Sequence, residues 1–136
     1  MSDGHDPVSR LPHARPFLLL DRTVEIDVER RRGVFVKLVT ASDPCVAPDG
    51  TLPAAFVLEA LAQGGGVLLT QLGSLAAAYL AAIDDFRTSG EVHAGDTLTV
   101  EVEYVRRIGG AVQIAGRARV DGEVRAEGRL TLAPPR

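Results

Sequence analysis

A single long apolar stretch, residues 52–72, most constrains how this chain can fold. Polar residues and three consecutive glycines interrupt it, so it makes a poor membrane span. Pro53 suits the first turn of a helix and Gly73 suits the position just after its end. The stretch therefore predicts one long buried helix over residues 54–72 of a globular domain.

Runs of alternating apolar and polar residues flank this helix and predict β-strands. The candidate strands are residues 23–28, 33–40, 76–86, 97–108, 111–120 and 123–132. Gly109-Gly110 and Asp121-Gly122 separate the last three and are typical of tight hairpins. Residues 76–86 are alanine-rich but lack a clean helical face, so we interpret them as a strand. The order of elements along the chain, with two strands before the helix and four after it, predicts an α+β fold with an antiparallel sheet around the helix.

Composition and charge narrow the classes of partner. The chain has 136 residues, with 15 basic against 18 acidic side chains and a net charge of −3. The length and composition predict one domain over residues 11–136 behind a flexible tail over residues 1–10, and the charge balance disfavours nucleic acid as a partner. The arginine runs 30–32 and 106–107 are interpreted as solvated surface, with an acidic partner as the alternative.

Other features bear on location and assembly. The first residues contain no apolar segment of the kind a secretory signal needs, so we expect a cytoplasmic protein. No metal-ligand spacing or phosphate-binding glycine loop is present, and no cofactor is expected. Six strands around one helix leave an open sheet edge, which predicts a homodimer.

Three stretches resemble, in the same order, the 3-hydroxyacyl-acyl carrier protein dehydratases of the FabZ kind. They are LPHARPFLLLDR at 11–22, LPAAFVLEALAQ at 52–63 and the segment 92–133, which opens with VHAGD. The resemblance implies the hotdog fold, an antiparallel sheet wrapped around one long helix. It also implies a pocket for thioesters of acyl carrier protein or coenzyme A.

The resemblance further implies a catalytic pair that this chain holds only in part. Eliminating water from a 3-hydroxyacyl thioester needs a base near the α-carbon and an acid near the departing hydroxyl. In the family a helix glutamate and a histidine from the loop before the helix supply them, and the glutamate corresponds to Glu59. Residues 42–54 contain no histidine. Catalysis by this chain alone is therefore expected to be impaired.

Five further residues are candidates for substrate binding. They are Ala54, Ala55, Phe56, Gln63 and Gly64. The resemblance to hotdog proteins implies that the first three offer a backbone N–H to the thioester carbonyl at the start of the helix. Gln63 would orient Glu59 or the ligand, or would simply join helix to sheet. Gly64 would let an acyl chain pass, or would serve close helix packing.

The three histidines and the cysteine are weaker candidates for functional residues. His13 belongs to the first resembling stretch and is expected to be structural. His93 and His5 cannot be placed opposite Glu59 from the sequence. Cys45 lies in the loop before the helix, and no basic neighbour in the sequence would activate it, so we expect a small buried residue.

Three functions stay open at this point. The first is a dehydratase-like protein that binds 3-hydroxyacyl or enoyl thioesters in fatty-acid or polyketide-like metabolism. The second is an acyl thioesterase that uses Glu59 alone. The third is a subunit that is not catalytic by itself, either paired with a His-bearing paralogue in a heteromeric dehydratase or serving as a structural partner in such a pathway. An assembly larger than a dimer is also left open.

Overall fold

In the computed structural model, which describes residues 6–10 and 18–135, one helix packs against a six-stranded antiparallel sheet. The helix is α1 (Ala54–Gln71), and the strands are β1 (Arg22–Asp27), β2 (Arg32–Leu38), β3 (Thr51–Leu52), β4 (Tyr79–Thr88), β5 (Val92–His93), β6 (Thr97–Ile108), β7 (Ala111–Val120) and β8 (Glu123–Ala133). The sheet has the order β1-β2-β6-β7-β8-β4, and β3 pairs separately with β5. The predicted α+β class is confirmed.

Most element boundaries agree with the sequence patterns. The predicted bounds of β6 and β7 match the structure, and α1 ends one residue before its predicted end. Asp121 and Gly122 both have positive φ, 51° and 80°, as the predicted hairpin between β7 and β8 requires. By contrast, β4 starts at Tyr79, later than the predicted residue 76. The short strands β3 and β5 were not predicted, because two residues carry no periodicity.

The glycines of α1 set how closely the helix approaches the sheet. A Cβ added to Gly64 would lie 3.1 Å from side-chain atoms of Phe35 and Val100. A Cβ at Gly65 would lie 2.4 Å from Cδ1 of Ile114. Close helix packing, one of the two roles predicted for Gly64, is therefore observed, and its contact with a ligand stays a prediction.

Strand β2 turns a different face inward than its apolar alternation suggested. Gly33, Phe35 and Lys37 are its buried residues. Leu38, which alternates with the apolar residues Val34 and Val36, is 55% exposed. A lysine, 2% exposed, thus occupies a core position at the end of this strand.

The described part of the N-terminal segment contacts the domain. Residues Pro7–Arg10 form a short 3-10 helix, in which Val8 is only 3% exposed. The Asp6 carboxylate accepts the backbone N–H groups of Val8 at 2.9 Å and Thr23 at 2.7 Å. This segment, expected to be a flexible tail, is thereby joined to β1.

One edge of the sheet is formed by β4, whose one partner among the described strands is β8. Nine of its ten residues are exposed. They include Tyr79, Leu80 and Ile83, which are 49%, 37% and 51% exposed. Such an edge is suited to a second subunit, and the homodimer stays a prediction.

Among the described residues, no helix is long and apolar enough to cross a membrane.

Candidate functional site

Glu59 and Gln63 lie one turn apart on α1 and contact each other. Gln63 Nε2 donates a hydrogen bond to Glu59 Oε1 at 3.3 Å. Gln63 is 2% exposed, and its Oε1 accepts the backbone N–H of Leu19 at 2.9 Å. One amide thus orients Glu59 and ties the helix to the chain segment before β1, so the bond that was predicted to reach the sheet reaches a segment outside it, and contact of Gln63 with a ligand stays a prediction. Glu59 itself is half-buried, so it can meet a ligand.

The start of α1 supplies backbone donors. Within the part of the chain that the structure describes, no side chain caps the helix at Pro53. The N–H groups of Phe56 and Val57 both donate to the Pro53 carbonyl, at 2.9 and 3.3 Å. Ala54 and Ala55 come before any acceptor in the helix, and both are exposed. Of the three predicted carbonyl-polarising positions, Ala54 and Ala55 therefore fit better than Phe56.

A groove of about 210 Å³ lies beside this helix start. Its lining includes Ala54 and Val57 on α1, Thr88 at the end of β4 and Arg125 on β8. Arg125 donates to Glu123 at 2.9 Å, while its buried Nε has no hydrogen-bond partner among the described residues. A guanidinium and a helix N-terminus together favour a negatively charged group here. Glu59 does not line this groove.

The loop before α1 is fixed by a buried ion pair. Lys37 Nζ lies 2.6 Å from Asp43 Oδ2, with the two side chains 2% and 12% exposed. Asp43 Oδ1 also accepts the backbone N–H of Cys45 at 2.9 Å. Partial burial opposes ionisation of Asp43, but the bonds from Lys37 and Cys45 outweigh it and lower the pKa of this carboxyl. Burial and the nearby Asp43 charge raise the pKa of the Cys45 thiol, so the site does not activate it.

Only one of the three histidines can be located. His93 lies in β5, opposite Thr51 of the loop before the helix. Its side chain is 53% exposed, and its Nε2 is 3.0 Å from Glu91 Oε2. His5 and His13 fall outside the described residues. Within the described ranges, no three His, Cys, Asp or Glu side chains form a group that could hold a metal ion.

Residues 6–136 match the family model of the ApeP-like proteins, described as ApeP dehydratase. The chain belongs to this family. It is also 37% identical over 135 residues to the 3-hydroxyacyl-[acyl-carrier-protein] dehydratase FabZ of Xanthomonas campestris pv. campestris (strain B100), covering 93% of this chain and 88% of the relative. The FabZ of Actinobacillus pleuropneumoniae serotype 5b (strain L20) is 38% identical over 131 residues, covering 90% and 84%. The resemblance seen in the sequence is confirmed.

Solved structures show the same fold for this ApeP-like chain. A chain of the dehydratase heterocomplex ApeI:P from Xenorhabdus doucetiae superposes with a TM-score of 0.83 at 23% identity, covering 97% of this chain and 93% of that one. A hypothetical thioesterase with coenzyme A from Streptococcus pneumoniae TIGR4 reaches 0.70 at 13% identity, covering 82% of both chains. The predicted hotdog fold is confirmed.

Three features of this ApeP-like site were not found from the sequence. They are the Leu19 N–H that holds Gln63, the buried Lys37 and the groove residue Arg125. The first is a backbone contact between segments 44 residues apart, which no local pattern signals. A signal for Lys37 did exist, since it follows Gly33 and Phe35 at period two.

Proposed function

We propose that this chain is a subunit of a heteromeric dehydratase that acts on 3-hydroxyacyl thioesters of acyl carrier protein. One observation carries the proposal. Glu59 is oriented by a buried glutamine that is itself anchored, while the loop before the helix contains no histidine. The chain therefore presents one of the two proton-transfer groups that the elimination needs.

The reaction divides into a proton removal and a proton delivery. A base takes a proton from the α-carbon, and the electron pair of the broken C–H bond forms the α–β double bond. An acid protonates the β-hydroxyl, which leaves as water. Glu59 performs one of these transfers, and a histidine of the partner subunit performs the other. The N–H groups of Ala54 and Ala55 polarise the thioester carbonyl, which makes the α-proton easier to remove.

The family match and the fold match support a partner subunit that differs from this chain. The family model is that of ApeP dehydratase, and the superposable solved chain belongs to a dehydratase heterocomplex. The exposed edge of β4 offers a place for the second subunit. The curated relatives are named for acyl carrier protein, so we favour this carrier over coenzyme A. We place the complex in the cytoplasm.

Turnover with and without a partner tests the proposal. Mass spectrometry would follow 3-hydroxybutyryl and crotonyl thioesters with this chain alone, with a hotdog dehydratase subunit that carries the loop histidine, and with both. We expect no conversion by this chain alone, and more conversion by the mixture than by the partner alone. Glu59→Gln should abolish this gain, whereas the exposed control Glu103→Gln should keep it. An unchanged gain with Glu59→Gln would remove Glu59 from the mechanism.

The same assay decides the thioesterase alternative. A lone helix carboxylate can in principle attack a thioester or activate water, and Glu59 is such a group. Hydrolysis would release free thiol from acyl thioesters, whereas dehydration leaves the thioester bond intact. Thiol release by the chain alone, lost in Glu59→Gln, would favour the hydrolase over the dehydratase subunit.

A further inference from the structure

The groove beside the start of α1 lies at one end of the exposed sheet edge. Its lining includes Thr88, the last residue of β4, and Gly90 in the connection that follows. Residues 51–54, which lead into the helix, form another wall, and Arg125 projects from β8. Because β4 is the edge on which we place the second subunit, that subunit also borders the groove.

The side chain of Arg125 is held in this groove by the residues around it. A Cβ added to Gly90 would lie 2.9 Å from Cδ of Arg125, so the arginine stem packs directly on the glycine backbone. The Ser89 N–H donates to the Arg125 carbonyl at 2.8 Å, and the Ser89 hydroxyl donates to the Val124 carbonyl at 2.7 Å. The connection after β4 is thereby fastened to β8. A guanidinium that is already positioned loses less entropy when it binds a partner.

The guanidinium of Arg125 has one paired and one unpaired edge. Nη1 donates to Glu123 Oε2 at 2.9 Å, and the Glu123 side chain is 74% exposed. Such surface ion pairs contribute little to stability. Nε is buried and has no hydrogen-bond partner among the described residues. Because a buried donor of a charged group is costly without an acceptor, this edge is suited to an acceptor from another molecule.

Size and charge narrow the class of that acceptor. The groove has a volume of about 210 Å³. Pockets that enclose whole small ligands have roughly 300–1,000 Å³, so this groove suits a side chain better than an acylated pantetheine arm. Nε and Nη2 of an arginine point the same way and match the two oxygens of one carboxylate. With Glu123 and Glu91 at the groove, a singly charged carboxylate is favoured over a doubly charged phosphate. Glu91 itself is 71% exposed and lies 3.0 Å from His93 Nε2.

We propose that the groove receives an Asp or Glu side chain of the partner subunit, and that Arg125 binds its carboxylate through Nε and Nη2. This inference rests on the proposed function, under which an unlike subunit covers the edge of β4. Glu59 does not line the groove, so the contact joins the subunits without using Glu59. It also contributes to the choice of partner, because a subunit without an acid at this place leaves the arginine unpaired.

The affinity of the heterodimer tests this inference. The partner is the hotdog dehydratase subunit that carries the loop histidine, and its binding to this chain would be measured by calorimetry. Arg125→Gln removes the charge and the paired donors, whereas Arg125→Lys keeps a charge and loses the two-donor edge. Arg117→Gln is the matched control. Arg117 also forms an exposed ion pair, 3.3 Å from Glu127, but it lies on β7 outside the lining of the groove.

Arg125→Gln should weaken the heterodimer at least about tenfold, and Arg117→Gln should leave its affinity unchanged. Arg125→Lys should weaken it by a smaller factor, and it replaces Arg125→Gln if urea unfolding shows that this variant is not folded. The partner's surface Asp and Glu residues would also be changed one at a time to Asn or Gln. One of these changes should weaken the complex of the wild type but not that of the Arg125 variant.

Three results would overturn the inference. They are wild-type affinity in the folded Arg125 variant, an equal loss in Arg117→Gln, and the absence of any partner carboxylate coupled to Arg125. In each of these cases the proposed function stands if the heterodimer still forms and its turnover still depends on Glu59. Failure of the wild-type chain to form a heterodimer at all would overturn both.

Discussion

The helix α1 and the loop that leads into it, residues 39–53, are stabilised in different ways. In α1, the side of the helix that holds Gln63 is buried and its glycines touch the sheet, so the orientation of Glu59 depends on core packing. The loop contains three prolines and one two-residue strand, and it is tied to the sheet by the Lys37–Asp43 pair. A change in the loop therefore leaves Glu59 in place. This explains how a chain can hold one half of a two-group site without the other.

Breaking the ion pair should have the largest effect on stability. Lys37→Met removes the cation, so the mostly buried Asp43 carboxylate loses its ion-pair partner. Removing one partner of a buried pair is costly, and we expect a loss of about 3 kcal/mol in the free energy of unfolding, measured with urea. The double variant Lys37→Met/Asp43→Leu is the control, since it removes the stranded charge and should recover most of the loss. Equal losses in the two variants would show that the pair is not what fixes the loop.

Overpacking the helix tests the other region. Gly65→Val places a branched side chain where even a Cβ lies 2.4 Å from Ile114 and 2.9 Å from Leu132. We expect a loss of about 2 kcal/mol by urea unfolding, because the helix must move off the sheet. Glu59 moves with the helix, so activity with the partner subunit should fall as well. Thr70→Val, at a half-buried position of the same helix, should change both much less.

The contrast between these regions also explains what the sequence could predict. Apolar periodicity predicted β6 and β7, and the hairpin dipeptide predicted the turn at Asp121-Gly122, because each of these elements depends on local residues. The helix was predicted from the length of its apolar stretch, and Glu59 was identified through the family resemblance. The inward face of β2 was missed although Lys37 follows Gly33 and Phe35 at period two. A lysine is stable in a core position only with a partner, and Asp43 is identified as that partner only in the folded chain. Contacts such as Leu19 to Gln63 are likewise tertiary.

Removing the glutamine that supports Glu59 should separate stability from activity. Gln63→Leu leaves the buried Leu19 N–H without its acceptor, and a loss of about 1.5 kcal/mol is expected. Glu59 also loses a hydrogen bond, so turnover with the partner subunit should fall even where the variant is fully folded. Gln71→Leu, at the exposed end of the helix, is the matched control and should change neither quantity. Normal turnover in folded Gln63→Leu would show that Glu59 needs no positioning.

Acid should weaken the attachment of the loop to the sheet, and this is the smallest of the four effects. The pKa of Asp43 is lowered from 3.8, so its ionised form stabilises the fold above that value. As the pH falls through the folded pKa, below about pH 4, the carboxylate is protonated and this contribution is lost. Because Asp6 also has a lowered pKa, the wild-type curve must be compared with that of Asp43→Asn. The variant should be less stable at pH 7, and its difference from the wild type should shrink toward pH 2.5 in thermal melts. A difference that stays constant over this range would mean that the charge of Asp43 does not hold the loop.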